Sequence, residues 1–370
     1  MSIDRGRRRA WWYNPPVSDV KDKVLVAMSG GVDSSVAAAV LLEAGCEVTG
    51  VFLCLGAAGP PDGERTCCSP EDAADARRVA QKLGIGLHVL NVAGDFEPII
   101  RHFAEEYARG RTPNPCILCN ARVKFARLIR LADRLGIARV ATGHHARVAK
   151  THGEWAVLRA RDARKDQSYA LFAVAREHLG RVVLPIGEME GKAAVRERAR
   201  ALGLNVHDKP DSQEICFVPD GDYLALLAER APRALTPGDI LSAGGEVLGR
   251  HDGYARFTVG QRRGLGVAAG EPRYVTRIDA ATATVTLGTR EQASSGRLAA
   301  DGAAWHADVP EQFDATVQVR YNHRGERARV RRLGAGRFEA DFERPVHAIT
   351  PGQAAVVYDG ERLLGGGWIC

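Results

Sequence analysis

The sequence lacks any apolar run long enough to cross a membrane, which takes about 20 residues. Its first residues, MSIDRGRRRAWWYNPPVSDVKD, are basic but lack the apolar stretch of a secretory signal peptide. We therefore expect a cytoplasmic protein with no membrane partner. Residues 1–22 are interpreted as a basic, disordered extension, although arginines beside aromatics also suit RNA binding.

Structural disulfides are rare in a reducing cytoplasm, where clustered cysteines indicate metal binding or catalysis. Two of the cysteines stand three positions apart in TPNPCILCNARVKF (112–125). A zinc site would need further ligands at a matching spacing, but there is no second C-x-x-C. His144 and His145 adjoin a strand end, where neighbouring side chains point to opposite faces. Zinc is the poorest interpretation, whereas redox and iron–sulfur chemistry stay open.

Strand and helix patterns alternate through the first part of the chain. Strands are predicted over 23–30, 47–56, 87–92 and 138–143, and helices over 34–45, 69–84, 95–110 and 119–136. This alternation is typical of an α/β domain with a doubly wound parallel sheet, whose ligands bind at the carboxyl ends of the strands.

Beyond about residue 235 the pattern changes to short alternating runs separated by glycines. Such runs predict β-rich modules. The stretch RVRRLGAGRFEADF (329–342) predicts a β-hairpin.

The segment SGGVDSS (29–35) joins the first predicted strand to the first helix. Its backbone amides can converge on an anion, and the helix dipole adds to the attraction. The lysine of a G-x-x-x-x-G-K-[ST] loop is missing, as is the G-x-G-x-x-G spacing. Asp33 is informative, because a carboxylate beside a phosphate indicates a Mg²⁺ between them. The segment predicts a nucleotide site, against the alternative of a tight turn without ligand.

This segment resembles the pyrophosphate loop of the PP-loop ATPases, which cleave ATP between the α and β phosphates to adenylate a substrate. Further stretches resemble one branch, the bacterial tRNA-specific 2-thiouridylases: PNPCILCNARVKF, ATGHHAR, KDQSYAL, KPDSQEICFVP, FTVGQRRGLG and PGQAAVVYDG. The similarity is collinear from about Lys23 to the C-terminus. It implies a PP-loop catalytic domain over 23–223, a small central β-rich module over 224–285 and a C-terminal tRNA-binding β-barrel over 286–370.

The resemblance implies ATP-dependent sulfur transfer to C2 of the wobble uridine in the anticodon stem-loop of tRNA. ATP adenylates the 2-oxygen, and a cysteine-borne sulfur then displaces AMP. Cys119 is implied as the nucleophile. Cys216 is implied as the persulfide carrier that leaves as half of a disulfide. A cysteine desulfurase or a sulfur carrier protein is implied as the sulfur donor.

The residues themselves suit these roles. Cys119 is expected at the start of a helix, where amides and Arg122 favour a thiolate. A thiolate is the attacking species in persulfide and disulfide chemistry. Cys216 follows the polar residues 211–213 in an apparent loop, which suits a mobile sulfur carrier.

A [4Fe-4S] cluster is the alternative. Cys116, Cys119 and Cys216 would give three thiolates and leave one iron open to bind a sulfide. Many members of the resembled family carry aspartate where this chain has Cys116, so Cys116 is a third ligand, a contact to the target base or a passive substitution. We favour the persulfide relay, and we interpret Cys67 and Cys68 as non-catalytic.

The resemblance also implies binding residues. Those for ATP are Ala27, Met28, Ser29, Gly30, Gly31, Val32, Asp33, Ser34, Leu53 and Gly143. Those for tRNA are Asn114, Pro115 and Cys116 beside the target base, His144, Lys165, Asp166 and Gln167 near the anticodon loop, and Arg320, Tyr321 and Gln353 in the barrel. Ala170 stands where the family commonly has an aromatic, so a local packing change is expected.

The basic stretch VRYNHRGERARVRRLG (319–334) has two interpretations. Its arginines could contact tRNA phosphates, which should supply most of the affinity. A solvated basic strand face is the alternative.

Two rival functions use the same features. Another PP-loop adenylating ligase or amidotransferase would not need Cys119 and Cys216 for turnover. A non-catalytic RNA-binding protein with a vestigial nucleotide loop would bind tRNA but release no pyrophosphate.

Overall fold

The computed structural model describes residues 22–54, 70–210, 215–218, 221–267 and 270–370. The predicted N-terminal extension apart from Asp22, the Cys67–Cys68 pair and the polar residues 211–213 lie outside the described residues. Within the described part of the chain, no helix has the length and apolar character that crossing a membrane requires.

The helices combine α-helical segments with one π-helix. The α-helices are α1 (Val32–Glu43), α2 (Pro70–Leu83), α3 (Ala93–Ala108), α4 (Pro115–Leu118), α5 (Ala126–Arg134), α6 (Lys192–Ala201) and α7 (Tyr223–Arg230). The π-helix, Cys119–Phe125, joins α4 directly to α5. Short 3₁₀-helices lie at Ser168–Leu171, Arg176–Arg181, Pro185–Glu188, Pro232–Leu235 and Tyr254–Arg256.

The strands continue to the C-terminus. They are β1 (Lys23–Ala27), β2 (Glu47–Cys54), β3 (Leu87–Asn91), β4 (Arg139–Ala141), β5 (Ala146–Thr151), β6 (Glu154–Arg159), β7 (Val182–Val183), β8 (Gly238–Ser242), β9 (Val247–His251), β10 (Tyr274–Asp279), β11 (Thr284–Gly288), β12 (Ser294–Trp305), β13 (Gln312–Gln318), β14 (Glu326–Arg332), β15 (Phe338–His347), β16 (Ala354–Asp359) and β17 (Arg362–Ile369).

The first sheet is parallel and has the order β3-β2-β1-β4-β7. Successive residues of β1 point to opposite faces. Val24 and Val26 pack with α1 and α6, whereas Leu25 packs with α5. The chain runs outward from β1 to β3 on one side and resumes at β4 on the other, which creates a switch point between β1 and β4.

Two β-rich units follow. A small sheet has the order β10-β11-β8-β9, and a larger one has the order β12-β15-β14-β13-β16-β17-β6-β5. Pairing of β12 with β17 closes six strands of the larger sheet into a barrel. The predicted fold class is confirmed, including the hairpin of β14 and β15. The domain boundaries stay a prediction, and the β5–β6 hairpin, within the predicted catalytic domain, extends the barrel sheet.

The barrel contacts the loop before α4 through backbone groups. The Thr112 amide donates to the Pro351 carbonyl over 2.9 Å, and Gln353 Nε2 donates to the Thr112 carbonyl over 2.8 Å. Gly352, which stands between Pro351 and Gln353, has φ +89°. A Cβ added at residue 352 would lie 3.0 Å from the Thr112 backbone. Glycine is therefore required both by the left-handed backbone and by the close approach.

We expect Gly352→Ala to lower the free energy of unfolding by about 2–4 kcal/mol, because left-handed strain and the clash with Thr112 add. Gly360→Ala is the matched control, since Gly360 has φ +55° but no atom within 4 Å of the added Cβ. It should lose only the strain, about 1–2 kcal/mol. Urea unfolding measures both variants, and equal losses would show that the approach to Thr112 is unimportant.

Candidate active site

The loop between β1 and α1 leaves the N-terminus of α1 bare. Gly31 is the N-cap with extended backbone (φ −96°, ψ 165°), and no side chain caps the first amides. Gly30 has φ +75°, and a Cβ there would lie 2.3 Å from the Asp72 carbonyl oxygen. The first amides of an α-helix have no intrahelical partner. They are available, together with the helix dipole, to bind an anion.

Serine hydroxyls hold this loop in shape. Ser34 Oγ and Ser35 Oγ donate to the Gly31 carbonyl over 3.1 and 2.8 Å. The Ser29 amide donates to Ser34 Oγ over 3.1 Å. The hydroxyls thus fix the backbone of the loop.

The other residues implied in ATP binding lie at the same edge of the sheet. Ala27 and Leu53 are near the carboxyl ends of β1 and β2, which are parallel neighbours. Gly143 follows β4 on the other side of β1, and a Cβ there would lie 2.5 Å from the Ser34 amide nitrogen. The structure therefore brings the implied set together at the switch point, while its role in binding stays a prediction.

Asp33 is held by two side chains from distant segments, His145 and Lys192. Its Oδ1 lies 3.1 Å from His145 Nε2, and its Oδ2 accepts from Lys192 Nζ over 2.7 Å. Burial raises the pKa of Asp33, but the bonds from His145 and Lys192 outweigh burial and hold the pKa below its usual value. Sequence patterns did not mark His145 or Lys192 as site residues, because the contacts span 112 and 159 residues.

The predicted Mg²⁺ fits this loop. An ionised Asp33 supplies one carboxylate beside the bare amides, and Mg²⁺ in nucleotide sites is commonly bound by one or two carboxylates together with phosphates.

Lys209 braces the loop from the side of α2. Its Nζ donates to the Gly30 carbonyl over 3.1 Å and pairs with Asp72 and Asp75 at 2.5 and 2.7 Å. Burial lowers the pKa of Lys209, but the two carboxylates outweigh it and raise the pKa. Lys209 is thus committed to holding α2 against the loop.

Cys119 does not start a helix, so that prediction was wrong. Helix α4 begins at Pro115 with Asn114 as N-cap, and Cys119 lies one turn further on, where the π-helix begins. Proline is favoured at the first helical position. The Asn114–Pro115 pair was the sequence signal for the true start.

Cys119 is 5% exposed. It packs in an apolar cluster with Val92, Phe96, Ile99, Leu118 and Val123, against which Leu53, Cys216 and Trp368 also pack. Burial raises the pKa of Cys119 to about 12, which the charge of Lys124 only partly opposes. In this arrangement the thiol is protonated, which contradicts the expected thiolate. The cation that acts on it is Lys124, which sequence analysis missed, rather than Arg122.

The three candidate cluster ligands lie near enough to influence one another's charge, but they differ in exposure. Cys116 is exposed in the first turn of α4, whereas Cys119 is buried. All three, including Cys216, belong to the described residues, among which no three His, Cys, Asp or Glu side chains are placed to hold a metal ion. The [4Fe-4S] alternative therefore stays a prediction.

The residues implied beside the target base differ in access. Asn114 is half-buried as the N-cap of α4, Pro115 is buried, and Cys116 is exposed. Cys116 is thus the most accessible of the three for a ligand.

His144 lies in a buried hydrogen-bond chain. Its Nδ1 is 2.7 Å from Thr142 Oγ1 and its Nε2 is 3.2 Å from Asn120 Oδ1. Asn120 in turn donates to the Ala170 carbonyl over 3.0 Å. Burial lowers the pKa of His144 to about 3, so the ring is neutral.

Asp166 and Gln167 are also engaged within the protein. Asp166 accepts from the amides of Ala160 and Ser168 over 2.9 and 3.1 Å and pairs with Arg159 at 3.0 Å. The Gln167 side chain accepts from the His145 amide over 2.8 Å. Direct contact of these groups with tRNA stays a prediction, as it does for Lys165.

Of the barrel residues, Tyr321 and Gln353 contact segments outside the barrel, whereas Arg320 is bonded within it. Tyr321 is 42% exposed and meets Tyr169 edge-on at 6.4 Å. Arg320 donates to the His347 carbonyl over 2.9 Å, and Gln353 contacts Thr112 as described above. Within the predicted basic stretch three arginines pair with acids, namely Arg327 with Glu343, Arg329 with Asp314 and Arg331 with Glu339. Those pairs favour a strand face neutralised by its neighbours.

Family models match almost the whole chain. The tRNA methyl transferase HUP domain matches residues 22–220, the tRNA methyl transferase PRC-barrel domain residues 225–289, and the aminomethyltransferase beta-barrel domain residues 295–369.

The chain is similar to curated proteins named tRNA-specific 2-thiouridylase MnmA. That of Syntrophotalea carbinolica is 47% identical over 348 residues, covering 94% of this chain and 98% of the relative. That of Carboxydothermus hydrogenoformans is 48% identical over 360 residues, with the same coverage. That of Geobacter metallireducens is 45% identical over 357 residues and covers 94% of this chain and 97% of the relative.

Alkylation should distinguish the two helical cysteines. We expect iodoacetamide near pH 7.5 to modify Cys119 at least about tenfold more slowly than Cys116, because alkylation requires an accessible thiolate. Because burial raises the Cys119 pKa, its rate should still increase between pH 7 and pH 8. Site-resolved mass spectrometry measures the rates, with urea-unfolded protein as the control in which the two sites react alike. Fast Cys119 labelling that levels off near pH 7 would contradict the buried thiol.

Proposed function

The chain belongs to the family of tRNA-specific 2-thiouridylases, and from that premise we propose how its residues divide the work. It is an ATP-dependent enzyme that thiolates tRNA.

The first half-reaction takes place at the phosphate loop. The uridine 2-oxygen attacks the α-phosphorus of ATP, the bond to the β-phosphate oxygen breaks, and pyrophosphate leaves. Negative charge develops on the leaving group, where the bare amides of Gly31, Val32 and Asp33 can stabilise it. We assign the Mg²⁺ of the nucleotide to Asp33.

The second half-reaction uses Cys216 and Cys119. The terminal sulfur of a Cys216 persulfide attacks C2 of the adenylated uridine, and AMP leaves. The Cys119 thiolate then attacks Cys216 Sγ and forms the Cys119–Cys216 disulfide. The electron pair of the broken S–S bond stays on the sulfur at C2, which gives 2-thiouridine. A thiol reductant must reopen the disulfide before the next turnover.

The observation that carries this proposal is the apolar cluster shared by the two sites. Cys119 lies within it, and both Cys216 and Leu53 pack against it. Leu53 stands near the carboxyl end of β2, beside the strand that leads into the phosphate loop. We therefore expect thiol and nucleotide chemistry at the same edge of the parallel sheet.

The descriptions of two family models mention methyl transfer. The relatives that cover 94% of this chain are named 2-thiouridylases, and the chain has both a pair of thiols and a phosphate loop. Thiolation accounts for both features.

We propose a cysteine desulfurase or a sulfur carrier protein as the sulfur donor and the cytoplasm as the site of action. Cys216 is half-buried, which gives a donor partial access to its sulfur.

Cys119→Ser and Cys216→Ser should each lower tRNA thiolation more than about 1,000-fold, because each removes a reacting sulfur. Pyrophosphate release from ATP and tRNA should persist, since the first half-reaction needs neither thiol. Cys370→Ser is the matched control and should thiolate normally. Nucleoside mass spectrometry and a pyrophosphate assay give the two readouts. Normal thiolation by Cys119→Ser would disprove the relay. An amidotransferase would form no 2-thiouridine even as the unmodified protein, and its turnover would depend on neither cysteine.

Protein purified without oxygen tests the iron–sulfur alternative. We expect no stoichiometric iron or acid-labile sulfide, and we expect Cys116→Ala to keep most of its thiolation activity, because the relay uses Cys119 and Cys216. A stoichiometric cluster that Cys116→Ala loses together with activity would assign the three cysteines to iron and overturn the relay.

A further inference from the structure

The phosphate loop SGGVDSS contains no lysine, yet an ammonium group lies at its end. Lys192 Nζ is 2.7 Å from Asp33 Oδ2, in the first turn of α1. The Lys192 side chain is only 13% exposed. A lysine from another helix therefore stands where the nucleotide phosphates are expected.

The packing of α6 explains how Lys192 reaches the loop. Lys192, Val195 and Ala199 share one face of α6, because residues three and four positions apart lie on the same side of a helix. Val195 and Ala199 are fully buried in the same core as Val36 and Leu41 of α1. The buried face of α6 therefore carries Lys192 toward the beginning of α1.

This position is unfavourable for the stability of α6 itself. Lys192 is its first residue, and no acidic residue lies in its first turn. A cation at a helix N-terminus opposes the macrodipole. The N-cap Gly191 has φ +95°, and a Cβ there would lie 2.3 Å from Asp162 Oδ2. The chain thus keeps a cation where helix stability alone would not favour one.

We propose that Lys192 binds the β and γ phosphates of ATP and so replaces the lysine that the loop lacks. Asp33 holds the ammonium at the first turn of α1. A triphosphate bound to the loop amides presents more negative charge than one carboxylate, so the ammonium turns to it. This inference rests on the ATP site proposed above and adds a residue to it.

Lys209, the other lysine at the loop, is not suited to this role. Its ammonium pairs with both Asp72 and Asp75 and also donates to the Gly30 carbonyl. Two carboxylates more than neutralise its charge. Turning toward a phosphate would leave both of them beside the ligand, so Lys209 acts as a brace.

Equilibrium binding of ATP and of adenosine to the full-length protein tests the assignment. Lys192→Met should weaken ATP binding about 10- to 100-fold, the loss expected for one charge-assisted contact. Adenosine binding should not change, because adenosine has no phosphate. Lys192→Arg keeps the charge and should recover part of the affinity for ATP. Lys82→Met is the matched control: the Lys82 ammonium donates to the Gly203 carbonyl, so this variant should bind ATP normally.

A second comparison separates phosphate binding from mere neutralisation of Asp33. ATP binding is measured in EDTA for Asp33→Asn and for Asp33→Asn with Lys192→Met. If Lys192 contacts phosphate, the double variant binds about tenfold or more weakly than Asp33→Asn. Equal affinities would mean that Lys192 only offsets the Asp33 charge, and the assignment would fail.

Two further outcomes would also overturn it. One is unchanged ATP affinity in folded Lys192→Met, and the other is an equal loss for ATP and adenosine. Failure of the unmodified protein to bind ATP would instead refute the proposed nucleotide site as a whole. The wild-type measurement therefore distinguishes failure of the function from failure of this inference.

Discussion

The close approach of Gly143 to the first turn of α1 is the constraint on which the site depends. A Cβ at residue 143 would lie 2.5 Å from the Ser34 amide nitrogen, so only glycine lets the end of β4 pack there. This contact brings the adjacent His145 within reach of Asp33. The same helix turn receives Lys192 from α6. Three segments far apart in sequence therefore meet around one bare helix N-terminus.

The fold was readable from sequence where the signals are local. Glycines, helix caps and apolar periodicity predicted β1, α1 and the β14–β15 hairpin, because each depends on neighbouring residues. The start of the cysteine-bearing helix was missed although Asn114–Pro115 marked it. Its π-helical segment could not be predicted, since it is held by distant partners: Asn120 contacts both His144 and Ala170.

The candidate site was likewise predictable from sequence only where its signals are local. The phosphate loop is one short segment whose backbone carries its chemistry, so its residue types reveal it. The side chains around it come from elsewhere, with Lys192 and Lys209 reaching back 159 and 179 residues. A short stretch of sequence cannot reveal contacts between residues that lie so far apart in the chain. Burial is equally non-local, and it is burial that makes Cys119 a protonated thiol where the sequence suggested a thiolate.

The buried Cys119 thiol constrains how sulfur transfer can proceed. The difference between an ordinary thiol pKa of 9.0 and a pKa of about 12 corresponds to about 4 kcal/mol. Forming the thiolate inside the cluster costs that much more than forming it in water. The thiolate therefore forms more easily after Cys119 has separated from its neighbours than inside the cluster, provided that losing those contacts costs less than about 4 kcal/mol.

The neighbours that would separate are few and belong to other parts of the chain. Cys216 and Phe217 come from a short described segment, and Trp368 comes from the last barrel strand. Burying one large apolar side chain contributes about 1.5–3 kcal/mol, so displacing Phe217 or Trp368 alone stays below that limit. The same cluster keeps water and stray thiols from the buried Cys119 sulfur.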